Sequence, residues 1–140
     1  MQDLTIFIFN HPFLSWGISI VLVLLILIEL VRVKRNSFNI SPSQATMMMN
    51  YEHAVIIDIR NKEQFRTGHI IEAHSITSKD LQDNRKKIER FKGKPLIIVC
   101  QAGVESQKIA ALLLKEGYNA YSLAGGMNAW RTDELPVVKE

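Results

Sequence analysis

Cys100 is the only cysteine in the 140-residue chain, and it closes an apolar run, Leu96-Ile97-Ile98-Val99-Cys100, that reads as a buried strand. Gln101, Ala102, Gly103, Val104 and Glu105 follow as a short loop, and a helical pattern begins near Ser106. A thiol between a strand end and a helix start has a definite chemistry. Its thiolate is a polarizable nucleophile, and the N–H groups of a tight loop and of the helix N-terminus favour negative charge on sulfur. The same donors would hold an anionic sulfur compound, so Cys100 is the candidate catalytic residue and Gln101, Ala102, Gly103, Val104, Glu105 and Ser106 are the candidate substrate-binding residues. The plainer alternative is a small buried hydrophobe, the usual role of a free cysteine.

Three further clusters bear on that choice. Asp58-Ile59-Arg60 follows an apolar run, Phe65 leads to Gly68-His69-Ile70 and Ala73, and Gly125-Gly126-Met127 leads to Ala129-Trp130. Each has a structural reading. Asp58 at a strand end can bind loop amides or pair with Arg60. His69 is expected to order the loop after Gly68 rather than act as a base. Gly125 and Gly126 allow a close backbone turn, and Trp130 packs the last helix down. All five, Asp58, Arg60, His69, Gly125 and Gly126, are expected to support the site without reacting.

In this order the motifs resemble the rhodanese family over about residues 40–138. Asp58-x-Arg60, the Phe65 to Ala73 stretch and the closing Gly-Gly-x-x-x-Trp element match the family's pattern, and Cys100 falls at its sulfur-carrying cysteine. The resemblance implies a small parallel sheet flanked by helices. It also implies a sulfurtransferase in which Cys100 takes sulfane sulfur from thiosulfate or a persulfide and passes it to a thiol or other nucleophile. No metal or organic cofactor is needed, because sulfur serves as nucleophile, carrier and leaving group in turn. Three departures stand out. The loop carries Glu105 where many family members have a basic residue, so an inward carboxylate would repel dianionic thiosulfate. Glu72 stands where the family usually has Gly, and Ser75 where it often has Asn.

Cysteine phosphatases are the competing enzyme class, but they need an arginine six positions after the cysteine, and Ser106 occupies that place. A non-catalytic reading also stays open, in which a membrane-tethered rhodanese fold serves as a docking or redox-sensing module.

The elements that would position the cysteine follow from hydrophobic periodicity. Apolar runs at 54–59, 96–100 and 120–123, with a weaker one at 73–76, predict strands. Patterns at 61–66, 78–91 and 106–116 predict helices, the last ending at Gly117. Ser41-Pro42 predicts another helix start, with Ser41 as N-cap and a run to Asn50. Met47, Met48 and Met49 point around that helix and are expected to pack rather than bind a soft metal. Strands alternating with helices give an α/β fold with a parallel sheet covered on both faces.

Ahead of the domain lies a different kind of sequence. Residues 13–31 hold fourteen Phe, Leu, Ile or Val residues and one ionisable side chain, Glu29. As a helix they reach about 28 Å, close to the roughly 30 Å hydrocarbon core of a bilayer, and their insertion is favoured by about 4–8 kcal/mol. A transmembrane helix is expected there, with a lipid bilayer as its partner. A cleaved signal peptide fits less well, since residues 1–10 carry Asp3 and no Lys or Arg. Arg32, Lys34 and Arg35 follow the block, which predicts residues 1–12 outside the cell membrane, a basic and polar linker over 32–39, and a cytoplasmic domain over 40–140. A lone thiol suits a reducing compartment. From Asn36 onward 14 Lys or Arg face 12 Asp or Glu, a formal charge of +2, which excludes a strongly basic nucleic-acid footprint. The expected partners are a small sulfur donor, a thiol acceptor and, given the anchor, a membrane protein.

Overall fold

The computed structural model describes residues 11–140 and divides into two compact units, with the boundary in the chain after Ser37. Among the described residues unit one holds a helix, α1 (Pro12–Asn36), entered through Pro12 in the first turn. The stretch 12–33 is long and apolar enough to cross a membrane by length and composition. Arg32 lies one turn from Glu29 and pairs with it at 3.5 Å. Residues 32–36 continue the helix instead of forming a linker, as the helix propensity of Arg and Lys allows. Most of the segment expected outside the membrane, residues 1–10, lies outside the described residues.

The second unit begins at Phe38 and is α/β. In chain order it holds β1 (Asn39–Ile40), α2 (Pro42–Tyr51), β2 (Val55–Asp58), α3 (Lys62–Arg66), β3 (His74–Ser75), α4 (Ser78–Asp83), α5 (Lys86–Glu89), β4 (Leu96–Val99), α6 (Val104–Lys115), β5 (Ala120–Leu123) and α7 (Gly126–Thr132). All five strands pair in parallel in the order β1-β5-β4-β2-β3. Strand β1 was not evident in the sequence. Asn39 falls at the end of the expected linker and Ile40 at the start of the expected domain, and only pairing with Ser122 and Leu123 on β5 makes them a strand.

Adjacent strand residues face opposite sides of a sheet, which accounts for two separate cores. Ile57 and Ile98 pack with Leu81, Ile88, Ile109 and Leu113, so α4, α5 and α6 cover one face. Ile56, Ile97 and Val99 pack with Ala45, Met48, Met127 and Trp130, so α2 and α7 cover the other. The whole of β4 is buried, as expected for the central strand of a parallel sheet. Met48 is buried and Met49 packs against the core while Met47 is exposed, in keeping with packing.

Several local readings hold in detail. Ser41 caps α2 through a full capping box with Gln44, and Gly117 leaves α6 at φ 89°. The single helix expected over 78–91 is broken in two. Asn84 leaves the helical region at φ −144°, and its side chain accepts from the Lys86 N–H at 3.0 Å, a local bond that competes with helix continuation. Leu81 and Ile88 nevertheless remain fully buried in the same core.

The turn after Ile70 explains one departure from the family pattern. Glu72 has φ 60°, the left-handed conformation that glycine adopts at least cost. Glu72→Gly relieves that strain and is expected to stabilise the domain by roughly 0.5–1 kcal/mol after the greater flexibility of the unfolded glycine is offset. The thermal midpoint of the full chain in detergent should rise by about 2–6 °C. An unchanged or lower midpoint would show that Glu72 makes compensating contacts.

Candidate active site

Cys100 stands one residue beyond β4, and Asp58, paired in register with Val99, ends the neighbouring strand β2. Both residues therefore sit at the carboxyl edge of the sheet, where open α/β folds bind their ligands. Cys100 is buried, with 5 % of its surface exposed. Three donors or acceptors converge on its sulfur. The Gly103 N–H donates at 3.0 Å, the Ser106 N–H donates at 3.4 Å, and Ser106 Oγ lies at 3.3 Å.

This convergence depends on the way α6 begins. Gly103 adopts φ 87° and caps the helix, which turns its own N–H back toward Cys100. The helix starts at Val104, two residues earlier than the sequence pattern indicated, so the Ser106 N–H lies among the free donors of the first turn. A Cβ on Gly103 would lie 2.8 Å from Gly125 N, too close for any other residue.

Gly125 and Gly126 brace the loop from the far side. Both have positive φ, 70° and 56°, and a Cβ on Gly126 would fall 2.2 Å from the Cys100 carbonyl oxygen. With no side chains in the way, the Met127 N–H donates to the Cys100 carbonyl at 2.9 Å and the Asn128 N–H to the Gln101 carbonyl at 3.1 Å. Here α7 grips the loop through its N-terminal donors. Trp130 is buried beneath, its ring N–H donating to the Pro136 carbonyl at 3.0 Å.

Arg60 is the second brace. It forms a buried ion pair with Asp58, with Nη2 to Oδ2 at 2.7 Å and Nε to Oδ1 at 3.0 Å. Its remaining donors reach the Gly68 carbonyl at 2.8 Å and Gln101 Oε1 at 3.3 Å. One guanidinium thus ties the end of β2, the turn at Gly68 and the cysteine loop together. Removing one member of such a pair leaves an uncompensated buried charge, a cost of about 3–5 kcal/mol.

The expected substrate-binding residues divide into distinct groups. The Gln101 side chain is engaged on both sides, accepting from Arg60 and donating to Asn128 Oδ1 at 2.6 Å. Ala102, Val104 and Glu105 are exposed, whereas Gly103 and Ser106 are buried. His69 is buried. It stacks on Phe65 at 3.7 Å, its Nδ1 donates to the Phe65 carbonyl at 2.9 Å, and its backbone pairs with Val138 in both directions. A cavity at the β2 and β3 edge, lined by His53, Glu72, His74, Phe91 and Lys94 among others, does not include the cysteine loop. Burial, followed by the charge of Arg90, holds His74 below its ordinary pKa there.

Two participants were not legible in the sequence. Asn128 lies inside the Gly-Gly-x-x-x-Trp element without being marked by it, and Ser122 lies within an apolar strand. Ser122 Oγ is 2.8 Å from Ser106 Oγ and fully buried. A hydroxyl at an inward position of a core strand was the available signal.

Among the described residues no group of three His, Cys, Asp or Glu side chains is arranged to hold a metal ion. What the geometry can do is hold negative charge on a buried sulfur and on small groups attached to it.

Comparison with known proteins bears on the same stretch. The rhodanese-like domain family model matches residues 41–133. The Escherichia coli protein YibN, itself uncharacterised, is 30 % identical over 141 residues, with 99 % of each chain covered. The thiosulfate sulfurtransferase GlpE of Actinobacillus succinogenes is 32 % identical over 99 residues, covering 70 % of this chain and 87 % of the relative. A rhodanese-related protein from Thermoplasma volcanium has the same fold at a TM-score of 0.66 and 24 % identity, covering 73 % of this chain and 98 % of that one.

Proposed function

The chain belongs to the rhodanese-like domain family, and on that premise we propose that Cys100 carries sulfane sulfur as a persulfide between a small donor and a thiol acceptor. The observation that carries this reading is the convergence of the Gly103 and Ser106 N–H groups on a buried Cys100 sulfur. The Cys100 thiolate attacks the outer sulfur of the donor, forming a new S–S bond while the donor's S–S bond breaks. The departing thiolate, or sulfite when thiosulfate is the donor, takes the bond pair. An acceptor thiolate then attacks the outer sulfur of Cys100–S–S⁻, leaving as a new persulfide and returning the Cys100 thiolate. Charge balances in both steps, and the loop donors hold the sulfur anion throughout.

Donor preference follows from loop charge. The loop side chains from Gln101 to Ser106 include one carboxylate and no cation. Glu105 is exposed in the first turn of α6, where the helix N-terminus favours it and solvent screens it. With no cation in the loop to offset its second charge, dianionic thiosulfate suits this loop less well than a singly charged persulfide.

The apolar α1 helix supports a membrane-anchored form of this enzyme. In this proposal residues 13–31 span the cell membrane, and the three cations at Arg32, Lys34 and Arg35 hold the domain on the cytoplasmic side. A membrane protein that supplies or accepts sulfur is the natural partner for a carrier held at that surface.

Incubation with a low-molecular-weight persulfide should add one sulfur atom to the intact protein by mass spectrometry, and Cys100→Ser should abolish the addition. No addition with any donor would favour the docking-module reading. Glu105→Arg should raise thiosulfate turnover several-fold at low salt, on the order of 3- to 10-fold, with most of the gain lost near 1 M salt. An unchanged rate would mean that donor choice is set elsewhere. A membrane-impermeant thiol reagent should label Cys100 only after cell lysis, whereas labelling in intact cells would reverse the orientation.

A further inference from the structure

The sulfur site has a hydroxyl pair behind it that backbone amides alone do not explain. Ser122, on β5, and Ser106, in the first turn of α6, are both fully buried. Their Oγ atoms are 2.8 Å apart, and Ser106 Oγ is 3.3 Å from Cys100 Sγ. Among the described residues Ser106 is the sole hydrogen-bond partner of the Ser122 side chain. The Ser106 hydroxyl has two partners, Ser122 and Cys100.

Proton bookkeeping decides which way this chain points. A buried O–H left without an acceptor costs about 1–3 kcal/mol. Ser122 has one acceptor in reach, so its proton is directed at Ser106 Oγ. The proton of Ser106 then has one acceptor left, Cys100 Sγ. In this arrangement the sulfur receives three donors, the Gly103 N–H, the Ser106 N–H and the Ser106 O–H. In the reverse arrangement the thiol donates to Ser106 and Ser106 donates to Ser122. That leaves the Ser122 proton unsatisfied in the core in exchange for a weak S–H donor bond.

We propose that Ser122 is a positioning residue whose buried hydroxyl orients the Ser106 O–H toward Cys100 Sγ, so that the site favours a sulfur that accepts hydrogen bonds, the thiolate that begins each transfer. This deepens the sulfur-carrier reading and rests on it for its effect on turnover. Its test reads the thiol directly, so it can fail while sulfur transfer stands, and the reverse also holds. The charged groups around the sulfur are Arg60, paired with Asp58 at the end of β2, and Glu105 on α6. From the β5 and α7 side the loop meets Gly125, Gly126, Met127 and Asn128, none of them ionisable. Substituting the neutral Ser122 alters none of these charges.

The experiment is the pH dependence of Cys100 alkylation by iodoacetamide, measured on the full chain in detergent. Ser122→Ala removes one buried oxygen and should move the pH of half-maximal rate upward by roughly 0.5–1 unit. Ser106→Ala should shift it at least as far. In the Ser106→Ala background, adding Ser122→Ala should produce no further shift, because no hydroxyl remains to be oriented. An unchanged midpoint in Ser122→Ala overturns the proposal. So does a smaller shift from Ser106→Ala than from Ser122→Ala, or an equal effect of Ser122→Ala in both backgrounds, which would make Ser122 a packing residue.

Discussion

Negative charge on a sulfur atom that is almost withdrawn from water has to be met by donors already in place, because the low-dielectric surroundings penalise any charge left unpaired. In this domain the donors are chiefly backbone N–H groups, and a backbone donor can be aimed only by shaping the chain. The left-handed turn at Gly103 supplies that shape by bringing its own N–H to 3.0 Å from Cys100 Sγ and starting α6 immediately afterwards. Much of the remaining architecture at this edge of the sheet serves to keep that turn from relaxing.

Two braces of different chemistry share the task. On one side Gly125 and Gly126 let α7 approach the loop so closely that its first N–H groups bond the carbonyls of Cys100 and Gln101. On the other, the Asp58–Arg60 pair extends from the end of β2 to Gln101 and to the Gly68 turn. The first brace is steric and backbone-made, so it tolerates no side chain. The second is ionic and buried, and its partners are saturated with hydrogen bonds, which is the condition under which a buried pair persists. Gln101 joins them by accepting from Arg60 and donating to Asn128.

The structure shows the setting of two of the departures from the family pattern, Glu72 and Glu105. Glu72 occupies a left-handed turn and keeps the backbone path while bearing its conformational cost. Glu105 is exposed and does not contact the sulfur, so the donor set survives a loop without a cation. Electrostatic attraction for a highly charged donor is what such a loop lacks.

How much of this was legible beforehand differs by level. The alternation of apolar runs with helical periodicity determined the α/β parallel class, because a strand buried on both faces must be apolar throughout, as Leu96–Val99 is. The cysteine at a strand end and the apolar block at 13–31 could be named from residue type and spacing, whereas the Gly-Gly turn, Asp58 and Arg60 stood out through the resemblance to the rhodanese family. Only the tertiary structure decided that β1 exists, since a two-residue strand has no periodicity and forms by pairing with β5. It also decided that Asn84 divides the 78–91 helix, that His69 is bound up with Phe65 and Val138, and that Ser122 stands behind Ser106. The reason is common to all four. Each depends on which segment, near or distant along the chain, comes within about 3 Å of a polar atom, and hydrophobic pattern records only which side of an element is buried.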